Sequence, residues 1–355
     1  MNIKSLLINS IAAFVISMKL NHFFIIMVIV FMVGISACVS QPQAKEPEMT
    51  TVKVAYQPTT TFGPLFIAKE EGFFARQGIN VEFEKIPSIT ASLPSLISGD
   101  IAVTGGTLTP GFFNSIAKGA NVRIVADKGR AIPGFCPPSA LVVRRELFDK
   151  GIVRNVSDLK GRKMMGNTNP SFTMSRLLEM GNMTTDDVEI EYMEYAAGVV
   201  ALRNGAVDAA ILTEPYVTQS LNSGTVVMLN PVQDFHPNIS LPLYYGPAFL
   251  EKNPDLGRRF MVAYLQGVKQ YNLGKTERNL EILQNYTKLD RDLLNQSCWY
   301  QISEDGTLPP QPVIEYMDWA YANNQITQKL DADQVIDMSY VNYANGVLVN
   351  STKGG

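Results

Sequence analysis

From Val52 onward, short alternating apolar runs exchange with stretches of helical period. Val52–Gln57 (VKVAYQ) alternates and is rich in β-formers, which predicts a strand. Gly63-Pro64 then opens a helix, with Pro64 suited to its first turn and Leu65, Ala68, Phe73 and Phe74 supplying an apolar stripe. Gly72 and Gly78 read as stops, and Ile79–Phe83 as a second strand. The rhythm continues with a helix over Ala91–Ser98, a strand over Ile101–Thr104, a helix over Pro110–Lys118 and a strand over Val122–Ala126. Helical connections long enough to be crossovers predict a largely parallel sheet covered on both faces.

A second series of the same kind runs from Leu141. It places strands at Leu141–Arg144, Lys163–Gly166, Val188–Met193, Ala209–Leu212 and Val226–Leu229, with helices over Phe172–Met180, Ala196–Arg203 and Tyr216–Leu221. Leu96-Ile97-Ser98-Gly99-Asp100-Ile101-Ala102 is echoed by Leu202-Arg203-Asn204-Gly205-Ala206-Val207-Asp208-Ala209. Both read as helix end, glycine stop, acidic turn and small-residue strand, which predicts two lobes built alike. From Asn253-Pro254 the pattern turns helical, with further helices over Thr276–Thr287, Asp290–Tyr300 and Val313–Asn323. Trp299 and Trp319 fit core packing there better than ligand contact.

The segment ahead of Val52 changes the picture from fold to address. Met18-Lys19, an uncharged apolar stretch and Ile35-Ser36-Ala37-Cys38 read as an export signal in residues 1–37, with translation starting at Met18. A cysteine directly after small residues resembles a lipobox, so Cys38 is expected to carry a diacylglyceryl anchor, with 38–50 as a lipidated tether. Leu20–Ala37 is also about as long as an uncleaved membrane anchor needs to be. Both readings put the bulk outside the cytoplasmic membrane. Cys136 and Cys298 are the other cysteines, and both a pair and two buried free thiols stay open.

A net charge of −3 without a long basic run removes the electrostatic footprint of a nucleic-acid binder. Of two histidines, His22 lies in the leader and His236 in a loop read as structural. No Gly-x-Ser-x-Gly elbow, phosphate loop or paired-cysteine metal pattern is present, which argues against catalysis and gives no cofactor or metal to expect.

Gly63-Pro64-Leu65-Phe66-Ile67-Ala68-Lys69-Glu70-Glu71-Gly72-Phe73-Phe74, followed by Gly78-Ile79-Asn80-Val81-Glu82, resembles the opening of solute-binding proteins of nitrate, sulfonate, taurine and thiamine-precursor ABC importers. Leu96–Ile101, Val156-Ser157-Asp158-Leu159-Lys160-Gly161-Arg162-Lys163, Gly205–Ala210 and Glu214-Pro215-Tyr216 follow in the family's order, so the resemblance covers roughly Val52 to Tyr271. Ala102 departs from the family's usual aspartate. The resemblance implies an α/β, two-lobed, periplasmic-binding-protein-like (type II) fold with a ligand cleft and a hinge of two crossing strands. It divides the chain into lobe one (51–140 plus 241–350) and lobe two (141–240), hinged near Ser139–Arg144 and Ser240–Gly246. It further implies a monomer that captures a small polar organic solute or anion and passes it to an ABC permease with its ATPase. A sensory or scavenging lipoprotein of the same fold is the alternative. Enzymes that make the thiamine pyrimidine are relatives too, but they are cytosolic and rely on histidine and clustered cysteines.

Ligands in open α/β sheets collect at the carboxyl ends of strands, near helix N-termini. That rule selects Gln57, Thr61 and Phe62 after the first strand and Gly105, Gly106 and Thr107 after the third, the glycines allowing close backbone approach. In the second lobe it selects Thr168, Asn169, Ser171 and Thr173. Arg130 would add a positive fork, and Tyr216 and Tyr245 would stack on a ring. Glu214 faces the cleft in the resembling family; a carboxylate there would favour an amine or zwitterion over a bare anion.

Overall fold

The computed structural model describes residues 49–132, 134–167, 171–237 and 239–353. The leader and Cys38 lie outside the described residues.

Two five-stranded sheets organise the chain. The first has the order β2-β1-β3-β10-β4, where β1 is Thr50–Tyr56, β2 Ile79–Lys85, β3 Val103–Gly105, β4 Arg123–Arg130 and β10 Ser240–Tyr245. The second has the order β7-β6-β8-β5-β9, where β5 is Ser139–Arg144, β6 Lys163–Gly166, β7 Glu189–Tyr192, β8 Ala209–Thr213 and β9 Val226–Pro231. The two plans match position by position. β1 pairs parallel with β2 in the register Thr50 opposite Ile79 to Tyr56 opposite Lys85, and with β3. β6 likewise pairs parallel with β7 and β8. The echoing passages of the sequence lead into β3 and β8, which hold the same place in the two sheets.

The expectation of largely parallel sheets needs correction at one strand in each. β10 runs antiparallel between β3 and β4, and β5 antiparallel between β8 and β9. A parallel neighbour needs a long crossover within its own sheet. β5 and β10 instead each arrive from the other sheet, through the crossings 131–138 and 232–239, so no helical crossover sets their direction. Ser139–Arg144 lies wholly in the second sheet and Ser240–Tyr245 wholly in the first; the passages between sheets immediately precede both strands.

C-terminal helices cover the first sheet. The amphipathic helix Pro254–Tyr271 starts at Asn253, whose side chain accepts from Leu256 N–H, and buries Phe260, Tyr264 and Val268 in one core with Leu65 and Phe66. It lies so close to the helix Gly63–Glu70 that a Cβ at Gly267 would run into the Pro64 carbonyl. The helix expected over Asp290–Tyr300 is shorter, Arg291–Gln296. Tertiary bonds hold the following residues as a strap. Cys298 is disulfide-bonded to Cys136 of the first crossing, and the Arg130 N–H donates to the Gln301 carbonyl at 2.9 Å. The open question about Cys136 and Cys298 is thereby answered by pairing. Trp299 stacks on Tyr271 and Trp319 packs on Phe172 and Tyr316, both as packing residues. Among the described residues no helix is long and apolar enough to cross a membrane.

Candidate functional site

A cavity lies where the two sheets present their strand ends to each other. Its volume, counted as room for the centres of water molecules, is about 100 Å³. The first sheet's side supplies the turn after β1 (Gln57, Thr59, Thr61, Phe62), the turn after β3 (Gly106, Thr107, Leu108) and Lys128 from β4. Across from it stand Gly166 and Asn167 at the end of β6, Ser171 to Met174 at the start of the helix Phe172–Met180, and Tyr195 beyond β7. His236 and Ile239 from the second crossing, Tyr300 from the strap and Tyr316 from the helix Gln311–Ala322 also line it, with neutral side chains of β5, β8 and β10. The carboxyl-end rule therefore selects the edge of both sheets at which this cavity lies.

Lys128 dominates the electrostatics. It is 1% exposed, and its Nζ donates to Thr61 Oγ1 at 2.8 Å and sits 4.1 Å above the centre of the Phe62 ring. Thr59 Oγ1 and Thr61 Oγ1 are 3.0 Å apart, extending the polar chain. Burial pulls the ammonium down to about 7, opposed by the charge of Asp127. Asp127 itself turns away: its carboxylate accepts from Gly129 N–H and Ser303 N–H at 3.1 and 2.8 Å and pairs with Arg130 at 3.4 Å. Burial pushes the Asp127 carboxyl up, against those hydrogen bonds. Among the described lining residues Lys128 is the one Lys, Arg, Asp or Glu. His236 is held neutral: burial and the nearby Arg176 lower it to about 4, and its Nδ1 lies 3.0 Å from Thr173 Oγ1.

Of the residues selected from the sequence, Gln57, Thr61, Phe62, Gly106, Thr107, Ser171 and Thr173 line this cavity. Ser171 also caps its helix, accepting from Met174 N–H at 3.2 Å. Thr168 and Asn169 lie outside the described residues. Five others take different places. Gly105 does not line the cavity; a Cβ there would meet the Lys128 stem at 2.6 Å, so this glycine makes room for the lysine. Arg130 is taken by Asp127. Tyr245 is fully buried among Phe249, Phe260 and Tyr340 and donates to the Gly257 carbonyl, because β10 turns it into the apolar core. Tyr216 stands behind Tyr195, stacked on it at 5.7 Å.

Glu214, expected to meet a ligand amine, is consumed by the fold. It is 2% exposed; its carboxylate accepts from Thr218 N–H, Thr218 Oγ1–H and Cys298 N–H at 3.0, 2.7 and 3.1 Å. It thus ties the helix Tyr216–Asn222 to the strap. Burial raises its carboxyl, and those bonds oppose the rise. The Glu214–Pro215 peptide is cis.

Lys128 is what residue reasoning missed. The signal was in the sequence: Asp127-Lys128 continues the apolar strand Val122–Ala126, and the carboxyl-end rule applied to that fourth strand reaches it.

A ligand-sized space at the carboxyl edges of two alike mixed sheets, joined by two crossings, defines a periplasmic-binding-protein fold. The chain belongs to the NMT1/THI5-like family, whose model matches residues 59–272. It is 24% identical over 195 residues, 49% of this chain and 43% of the other, to the bicarbonate-binding protein CmpA of Synechococcus elongatus. It is 27% identical over 250 residues, 65% of this chain and 56% of the other, to the nitrate/nitrite binding protein NrtA of Nostoc sp.. The chain spans about half the length of the curated relatives it matches. Among solved structures, the periplasmic nitrate-binding protein NrtA from Synechocystis superposes with a TM-score of 0.69 at 17% identity, covering 86% of this chain and 90% of that one. The desulfurization enzyme DSZB shares the fold at a TM-score of 0.60 and 13% identity, covering 84% of this chain and 99% of that one. The named relatives at sequence level are binding proteins.

Proposed function

We propose that this protein is the extracytoplasmic solute receptor of an ABC importer, tethered by a lipid on Cys38 and holding a small polar organic solute or anion between its sheets. The observation that carries the reading is the cavity, lined by strand ends of both sheets, so one ligand touches both sides at once. Such a ligand favours the closed arrangement by its differential affinity for it. Lobe one is built on the first sheet, with the C-terminal helices, and lobe two on the second; the sheet membership of β5 and β10 moves the expected boundaries at 140 and 240 to the two crossings, on which closure turns. The family membership and the binding-protein relatives support this role.

The test is uptake. A thermal-shift screen of sulfonates, nitrate, pyrimidines and amines picks the ligand, since saturation at 100 times Kd stabilises by about 2.7 kcal/mol. Cells lacking the protein should then lose uptake of that labelled ligand, with restoration by the intact gene and not by a Cys38→Ala copy. Unchanged uptake in the deletion strain, with tight binding in vitro, would replace transport by the sensory or scavenging role.

A further inference from the structure

We infer that the cleft takes a ring-bearing organic monoanion, its acidic group on Lys128 and its ring against the aromatic wall. The inference rests on the reading that this cavity is the ligand site. An ammonium has three donors, and Lys128 gives one of them to Thr61. No carboxylate among the described residues lies within ion-pair reach of its Nζ. A buried cation without a carboxylate in contact is unfavourable, and an anion in the cavity supplies that partner. The Gly105 position reinforces this, because any side chain there would displace the lysine from the cavity edge.

The same geometry disfavours the zwitterion or amine that the sequence suggested. The carboxylate assigned to receive it, Glu214, is bonded to Thr218 and Cys298. Asp127 faces Ser303, Gly129 and Arg130. An amine in the cavity would meet a cation and no anion.

Size sets the second half of the inference. A hole that just holds one water encloses roughly 10–15 Å³ and leaves that water's centre almost no room to move. The cavity's volume of about 100 Å³ therefore leaves most of the space empty around a bare four-atom inorganic anion. Five aromatic side chains stand in the wall, Phe62, Phe172, Tyr195, Tyr300 and Tyr316, interleaved with neutral polar and aliphatic groups. Aromatic rings pack on one another in stacked or edge-on pairs, so a planar ring matches this wall.

The test is calorimetry on the full-length protein in detergent at pH 6.5, with benzoate, benzenesulfonate, benzamide, benzylamine and sodium nitrate as probes. At least one ring acid should bind ten or more times tighter than benzamide, benzylamine and nitrate. Lys128→Gln should weaken that acid at least tenfold and leave benzamide unchanged, with a cooperative melt showing that the variant is folded. If it does not fold, Thr61→Val, which removes the hydroxyl that orients the ammonium, should weaken the ring acid severalfold. Tighter binding of benzylamine or nitrate, indifference of the ring acid to both variants, or no ring acid bound at all overturns the inference. None of those results touches the receptor reading, which stands or falls on uptake.

Discussion

Lys128 shows how one buried side chain couples a site to stability. Its amine loses its proton at about pH 7 in the folded protein, against an ordinary value of 10.5. The unfolded chain therefore binds more protons between about pH 7 and 10.5, and this group makes stability rise with pH across that window. Below pH 7 the ammonium is charged in both states and its burial cost is fully present. Lys128→Met should accordingly melt higher than the native protein at pH 6 to 7, and the difference should shrink towards pH 10. Melting curves at five pH values across that range check the sign; a difference that grows with pH would refute it. His236 acts in a different window. Its folded value of about 4 lies below the ordinary 6.5, so its contribution is present above pH 6.5 and lost as pH falls through 4.

The strap Ser297–Ile302 is the element that local rules read wrongly. Its sequence continues a helical pattern, yet it leaves the helix after Gln296. Three partners far away in sequence take it over: Cys136 through sulfur, Glu214 through the Cys298 N–H, and Arg130 through the Gln301 carbonyl. Tyr300 adds a contact with Thr213 at the end of β8, its hydroxyl 3.3 Å from Thr213 Oγ1. Glu214→Gln keeps the shape but removes the charge from three hydrogen bonds and places an amide donor beside two N–H groups and a hydroxyl. It should cost about 1–3 kcal/mol, read from urea unfolding. Ligand affinity should stay within about threefold, because the carboxylate does not line the cavity. A large loss of affinity with unchanged stability would return Glu214 to the binding site. At this scale most elements were legible: β6 and the helix Phe172–Met180 match their expected bounds residue for residue. Periodicity is a local property, and burial on one face imposes it. The strap was not legible because its partners are set by the fold.

For the whole molecule, the question is what the ligand changes. Contacts already span the space between the two sides. Phe172 packs edge-on against Tyr316, and Tyr216 Oη donates to the Pro58 carbonyl at 3.4 Å. In the proposed role a ligand between them favours the closed arrangement by its differential affinity, and a shift from 1:99 to 99:1 takes a preference of about 5.5 kcal/mol. X-ray scattering with and without saturating ligand should show a smaller radius of gyration in the bound state. Phe172→Ala should enlarge the ligand-free particle while leaving the bound one alike. Identical curves in all four samples would end the closure model.

By itself the sequence determined the order of strands and helices, the duplication of plan between the two halves, the family, and the strand ends that line the cavity. Each of these is written in short-range pattern: alternation, helical spacing, glycine stops and motifs kept in order. The tertiary structure alone decided which polar groups remain available. Glu214, Arg130 and Tyr245 look like ligand contacts by type and position, but packing spends them on Cys298, Asp127 and Gly257. Lys128 looks like the end of a strand, and folding leaves it buried beside the cavity with no carboxylate among the other described lining residues. The physical reason is that a charge takes its role from whatever neighbours compete for it, and those neighbours come from segments far apart in the chain.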